Sequence, residues 1–229
     1  MATKPLEDIE FSGYRRKLIE KIRTSGIEDL EILQLFERVP RHLFLPQSMW
    51  PRAYEDTPIP IGYSQTASQP SLQALYLSIL KPTINDTVLE IGTGSGYLTA
   101  LLALSADRVY SVDRVRGLSA KARATLDDFN IKNVALMVGD GTIGWRKFSP
   151  FDIIIVSAAS PSIPQALIDQ LGEGGRMIIP VGSRENQSLI LVNRKKENIH
   201  QEVILDSCAF VPLLGRFAWS PEHPKQPGT

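Results

Sequence analysis

Three glycines fall within five residues in Glu90-Ile-Gly-Thr-Gly-Ser-Gly96, after Thr87-Val-Leu89 and before Tyr97-Leu-Thr-Ala-Leu-Leu-Ala103. A turn of this composition joins a buried strand to a helix. Glycine tolerates the tight backbone and lets a ligand approach the main chain, and the helix start offers free N–H groups. Strands over 87–91, 108–113, 134–138, 152–157 and 175–181 then alternate with helices over 97–105, 117–129 and 163–171. Such alternation predicts an α/β fold with a doubly wound, seven-stranded, mostly parallel sheet. Residues 188–193, 202–205 and 209–213 read as strands with no helix between them, so an antiparallel C-terminal edge is expected.

Before the sheet, Leu18, Ile19 and Ile22 share one side of a helix, and Leu30, Leu33 and Phe36 share one side of a second beyond Gly26. From Pro40 to Pro70 the chain carries six prolines, too many for a continuous helix or a central strand. A long loop inside a compact domain is often functional. Leu72, Leu75, Tyr76 and Ile79 then outline an amphipathic helix. The expected organisation is one unit over 1–229: helices and a Pro-rich loop to 70, a cofactor-binding core over 71–182, antiparallel strands over 183–219 and a loose tail over 220–229.

With 43% apolar and 22% charged residues, the 229-residue chain has the make-up of a folded domain, not a disordered one. Lys+Arg and Asp+Glu both total 25, so no net charge draws the molecule to nucleic acid or an anionic membrane. A single cysteine, Cys208, excludes an internal disulfide and a multi-cysteine zinc site, and His42, His200 and His223 lie too far apart to form an i, i+4 clamp. Glu7, Asp8 and Glu10 stand where a signal peptide needs an apolar stretch, and no apolar window could span a bilayer. A cytoplasmic, metal-free monomer is the expectation.

Three carboxylates mark the ends of three consecutive strands. Glu90 closes the first, and Asp113, 23 residues further on, closes the second, where it could accept hydrogen bonds from ribose hydroxyls. Asp140, in Gly139-Asp-Gly-Thr142 after the third, could accept from an adenine amino group. Each has a local alternative, a helix cap for Asp113 and a turn bonding its own backbone for Asp140. A dinucleotide fingerprint wants glycines at the first, third and sixth positions of the first turn. Gly92 and Gly94 meet the first two, but the sixth is Tyr97 and the additional glycine is Gly96. Together these residues argue for an adenosine-containing cofactor whose polar head is not a diphosphate.

Ser68 precedes the helix that begins near Pro70, so its simplest role is an N-cap hydroxyl. A serine nucleophile is disfavoured, since no Gly-x-Ser-x-Gly elbow and no motif-placed histidine accompany it.

Val39-Pro-Arg41, Tyr54-Glu-Asp56, Pro58-Ile-Pro-Ile-Gly62, Gln65-Thr-Ala-Ser-Gln-Pro70 and Val88-Leu-Glu-Ile-Gly-Thr-Gly-Ser-Gly-Tyr97 closely resemble segments of the protein-L-isoaspartate O-methyltransferases. So do Val138-Gly-Asp-Gly141, Phe151-Asp-Ile-Ile-Ile-Val156, Gly174-Gly-Arg-Met-Ile-Ile-Pro-Val-Gly182 and Phe210-Val-Pro-Leu213, in the family's order over residues 10–219. The resemblance implies a Rossmann-like fold binding S-adenosylmethionine, with S-adenosylhomocysteine as product. It implies methyl transfer to the free α-carboxylate of L-isoaspartyl residues, and less well to D-aspartyl, as the start of protein repair. It also assigns Ser68 to the active site, and Gln69, Glu90, Gly92, Thr93, Gly94, Ser95, Asp113, Arg114, Asp140, Gly141 and Leu214 to cofactor contacts.

On that reading Ser64, Gln65, Thr66 and Ala67 grip the main chain of the isoaspartyl peptide, and Ser68 orients the attacking carboxylate. Ser64 stands where many relatives have glycine, Ala67 where they have isoleucine or valine, and Asp113 where they have glutamate. Three alternatives stay open: a methyltransferase of the same family retargeted to a dedicated peptide aspartate, a non-catalytic binder of isoaspartyl peptides, and a nicotinamide-dependent oxidoreductase.

Overall fold

Strands β3 (Thr87–Ile91) and β6 (Phe151–Val156) lie side by side at the centre of a seven-stranded sheet. The computed structural model describes residues 6–196 and 198–220; His223 and the rest of the expected tail lie outside the described residues. The sheet order is β5 (Val134–Val138), β4 (Arg108–Asp113), β3, β6, β7 (Leu171–Gly182), β8 (Gln187–Lys195), β9 (Asn198–Cys208). The first five are parallel, and β8 and β9 close the order as antiparallel strands, as expected. After β3 the chain builds outward through β4 and β5, then returns to the other side of β3 at β6. That reversal opens a crevice at the carboxyl ends of the central strands.

Both faces of the central strands are buried, which is why they read as nearly continuous apolar runs. Ile153 and Ile155 face one core with Leu77, Leu101 and Phe36, while Ile154 and Val156 face a second with Tyr110, Leu167 and Met177. The first core holds helices α1 (Leu6–Thr24), α2 (Leu30–Arg38), α3 (Pro70–Leu80), α4 (Tyr97–Ala103) and part of α5 (Arg116–Asp128). In α2 the buried residues are Ile32, Leu33, Leu35 and Phe36, whereas Leu30 is exposed. In α3 the most buried positions are Gln73, Ala74, Tyr76, Leu77 and Leu80, with Leu72, Leu75 and Ile79 only half-buried.

Two expected elements differ. The helix expected over 163–171 shrinks to the single turn α6 (Gln165–Ile168), because Leu171 already belongs to β7. The Gln170 carbonyl accepts the Phe151 N–H, drawing the chain into the sheet at that point. Residues 209–213 form no strand of the sheet. Ala159 donates to the Val211 carbonyl and Leu213 donates to the Ala159 carbonyl, a one-residue bridge to the loop after β6. Pro212 has no N–H to extend it.

The proline-rich segment is folded throughout, as two 3-10 turns (Arg41–Phe44 and Gln47–Arg52) and a hairpin of β1 (Ile59–Gly62) with β2 (Gln65–Ala67). Its tip, Tyr63-Ser64, has φ +54 and +55, the sense of a type I′ turn. Among the described residues no helix is long and apolar enough to cross a membrane.

Candidate active site

The first turn of the crevice is built by backbone geometry. Gly92, at φ +99, donates its N–H to the Val112 carbonyl, and a side chain there would crowd Ser157. Gly96, at φ +84, caps α4, and a Cβ on it would stand 2.9 Å from Cβ of Ala122. The additional glycine of the motif therefore serves the close approach of α4 to α5. Tyr97, in place of a third dinucleotide glycine, turns its ring into the core against Phe36 and Phe44.

Around this turn lies a cleft of about 750 Å3 including its open mouth. Its floor is Gly92, Thr93 and Ser95 from the first turn, with Asp113 at the end of β4, Arg114 beyond it, Gly141 after β5 and Ser157 after β6. Gln65, Thr66, Ala67 and Ser68 close it from the hairpin side, and Leu213 and Leu214 close it from the C-terminal segment. The structure thus gathers most of the expected site residues around one space. Glu90, Gly94 and Asp140 do not line it: Glu90 is buried behind Thr93, Gly94 and Gln69 border separate grooves, Asp140 precedes the lining residue Gly141, and Ser64 sits at the hairpin tip.

Asp113 is almost buried. One carboxylate oxygen accepts the Gly94 N–H at 2.8 Å and the other accepts the Val115 N–H at 2.7 Å. Each oxygen keeps a further lone-pair direction for a ligand hydroxyl. Asp140 accepts from the Thr142 N–H and hydroxyl on one oxygen and from the Arg216 N–H on the other. Partial burial works against its ionisation, but those hydrogen bonds and the Arg114 charge outweigh it and hold its pKa below the ordinary value. Asp140 thereby ties residues 215–216 over the end of β5.

Glu90 is fully buried. One of its oxygens accepts hydroxyl hydrogens from Thr99 and Ser111, each at 2.6 Å, and the other has no partner. Burial pushes its pKa up to about 7, against the two hydroxyl hydrogen bonds and with help from the Asp113 charge. Since Ser111 spends its one hydrogen on Glu90, the 2.6 Å contact between Ser111 and Thr93 has Thr93 as donor. A buried relay therefore runs from Glu90 to Thr93 on the floor of the cleft.

Gln73 went unmarked in the sequence. It is 4% exposed, lies on the wall of the cleft, and its Oε1 is buried with no partner. Its signal was a lone amide on the buried side of an otherwise apolar helix. Ser68 does not cap α3: the N-cap residue is Gln69, which makes no capping bond, and the Ser71 N–H is instead accepted by Asp56 at 2.8 Å. Among the described residues no three His, Cys, Asp or Glu side chains converge to hold a metal ion.

A parallel sheet with a switch-point crevice, a glycine turn without the dinucleotide spacing and a carboxylate after the second strand define the class of α/β, S-adenosylmethionine-type methyltransferases. Within that class the chain matches, over residues 14–218, the family described as protein-L-isoaspartate(D-aspartate) O-methyltransferase. It is 46% identical over 213 residues to the protein-L-isoaspartate O-methyltransferase of Syntrophus aciditrophicus, covering 92% of this chain and 98% of the relative. With that of Geobacter metallireducens the identity is 42% over 216 residues, covering 94% of this chain and all of the relative. A solved protein-L-isoaspartate O-methyltransferase superimposes with a TM-score of 0.80 at 30% identity, covering 89% of this chain and 67% of that one. A Plasmodium falciparum PCMT structure in complex with S-adenosyl-L-homocysteine gives 0.76 at 26% identity, covering 87% of this chain and 98% of that one. The chain belongs to the protein-L-isoaspartate O-methyltransferase family.

Proposed function

We propose that this protein transfers a methyl group from S-adenosylmethionine to the free α-carboxylate of L-isoaspartyl residues in damaged proteins, and less well to D-aspartyl. One observation carries the reading beyond family membership. Ser68 lies on a wall shared by two spaces, the cleft above the glycine turn and a second groove bounded by Leu72, Leu205, Cys208 and Phe210. Thr66, Ser157 and Val211 border both. Two ligands entering from opposite sides would meet beside the Ser68 side chain.

The cleft fits a nucleoside with a cationic, amino-bearing head. Asp113 offers lone pairs at the floor, Gln73 Oε1 awaits a donor, and Glu90, whose ionised form a bound cation would favour, lies behind Thr93. Gln73, Thr93 and Asp113 would hold such a cofactor, with Asp140 and Leu214 at its rim. S-adenosylmethionine, when bound, supplies an electrophilic methyl group on a positively charged sulfur.

A carboxylate acceptor is ionised at neutral pH and needs no general base. The second groove fits that requirement, for none of its lining residues is acidic or basic apart from the weakly acidic thiol of Cys208. Ser68 donates a hydrogen bond that orients the carboxylate, beside the apolar side chains of Leu72, Leu205 and Phe210. Positioning of this kind is worth on the order of 7–11 kcal/mol in ideal intramolecular cases. A groove without charges reads the peptide main chain, so flanking sequence matters little. The same reading makes 1–229 one functional unit and a monomer of the cytoplasm, supported by its balanced charge and single cysteine.

The test is methyl transfer from labelled S-adenosylmethionine to peptides identical but for L-isoaspartyl or L-aspartyl at one position. The isoaspartyl peptide alone should be methylated, and Ser68→Ala should lower kcat about 10–100-fold, the loss of one oriented hydrogen bond. Methylation restricted to one flanking sequence would favour a retargeted enzyme, and donor binding without transfer would favour a binder.

A further inference from the structure

Arg41 is a fully buried arginine in the first 3-10 turn, remote in sequence from every residue assigned to the site. One terminal nitrogen donates to the carbonyls of Ala53 and Glu55, at 2.9 and 3.0 Å. The other donates to the carbonyls of Thr57 and Ser68, at 3.4 and 3.0 Å. Three of those carbonyls belong to the loop that carries Asp56. Asp56 in turn accepts the Ser71 N–H of α3. Ser68 is therefore held on both sides by side chains from elsewhere: Arg41 grips its own carbonyl, and Asp56 grips the chain three residues later. Local structure supplies neither hold, since Gln69 makes no capping bond and Pro70 has no N–H.

Burying a guanidinium is costly, and packing alone would be served as well by an apolar side chain. What an apolar residue could not do is hold four carbonyls at once through one rigid fork. The fourth of them is the carbonyl of the residue that separates the two spaces. Burial works against the charge on Arg41, and the neighbouring Asp56 and Glu55 are among the groups that favour it.

We infer that Arg41 and Asp56 are positioning residues for methyl transfer, acting through Ser68 by fixing the backbone on either side of it. The inference rests on the reading of Ser68 above. Its test is a double-mutant cycle on full-length protein, because residues that act through one another are not additive. Arg41→Lys keeps a cation but has no fork. It should lower kcat for an isoaspartyl peptide about tenfold, with the S-adenosylhomocysteine Kd from calorimetry changed by less than about twofold. Placed on Ser68→Ala, it should lower kcat by no more than about twofold. An equal loss in both backgrounds, or no loss on the native background, overturns the inference. Should Arg41→Lys not fold, Asp56→Ala, which releases the other side, carries the same cycle with the same criteria. If Ser68→Ala itself leaves kcat unchanged, the reading of Ser68 fails instead, and the two failures are distinct.

Discussion

Replacing Glu90 with glutamine should make the ligand-free protein more stable above neutral pH. The carboxyl titrates near 7 in the fold and near 4.5 when unfolded, so its ionised form costs the folded state about 3 kcal/mol. The sign follows from proton binding. Between those two values the folded state holds a proton that the unfolded chain has lost, so stability falls as pH rises and levels off above 7. Glutamine mimics the neutral acid: its carbonyl can accept from Thr99 and Ser111, and its amide takes the place of the oxygen that has no partner. Urea or thermal melts of the native protein and Glu90→Gln from pH 5 to 8 provide the measurement. The difference should grow with pH to about 3 kcal/mol, or about 6–12 °C in Tm for a chain of this size. Asp140 has the opposite sign: its lowered pKa adds stability that is fully present above its ordinary value of 3.8 and is lost only as pH falls below it, outside the range of these melts. Saturating S-adenosylmethionine should shrink the difference, since a cation near Thr93 favours the ionised form. Parallel pH profiles for the two proteins would refute the assignment of a neutral, buried Glu90.

Two further outcomes test the geometry. Ser64→Gly should raise Tm by about 2–4 °C, because glycine removes about 1 kcal/mol of left-handed strain at φ +55 on the hairpin tip. An unchanged or lower Tm counts against a strained tip. Gly96→Ala should destabilise by about 3 kcal/mol through left-handed strain and the clash with Ala122, read as a lower urea midpoint at an unchanged m-value.

The parts of the fold that could be read in advance are those where one periodicity dominates. β3, β4, β6 and α4 are short, apolar-rich runs buried almost throughout, so pattern and structure coincide. The helix expected over 163–171 failed because Ile163, Leu167, Ile168 and Leu171 keep a helical spacing while Leu171 serves a strand. The strand expected over 209–213 failed because its apolar residues line the core and the cleft without joining the sheet: Leu213 packs with Leu89 and Ile91. Prolines concealed the β1–β2 hairpin, whose turn residues, Tyr63 and Ser64, are not those usual for its geometry. Within the site, glycines and strand-end carboxylates were legible because they follow strands directly. The couplings were not. Glu90 meets Ser111 and Thr99 only once β4 and α4 are in place, and Arg41 meets Ser68 only after the loop of 53–57 has folded around it.

The charge distribution links these observations to the chemistry. A cationic methyl donor and an anionic acceptor lose their charges together on transfer, so a cation beside the acceptor would stabilise the start of the reaction more than its transition state. The groove proposed for the acceptor has none among its lining residues. Arg41, the buried cation behind Ser68, is instead engaged at both terminal nitrogens by carbonyls, one of them that of Ser68. On the proposed reading, Asp113 and, once a sulfonium is bound, Glu90 place negative charge on the donor side, where it favours binding the cationic donor over a neutral product. On the proposed reading, the arrangement would separate holding the chain from holding the reactants, and would leave the acceptor carboxylate with the Ser68 hydroxyl as its partner and its nucleophilicity largely intact.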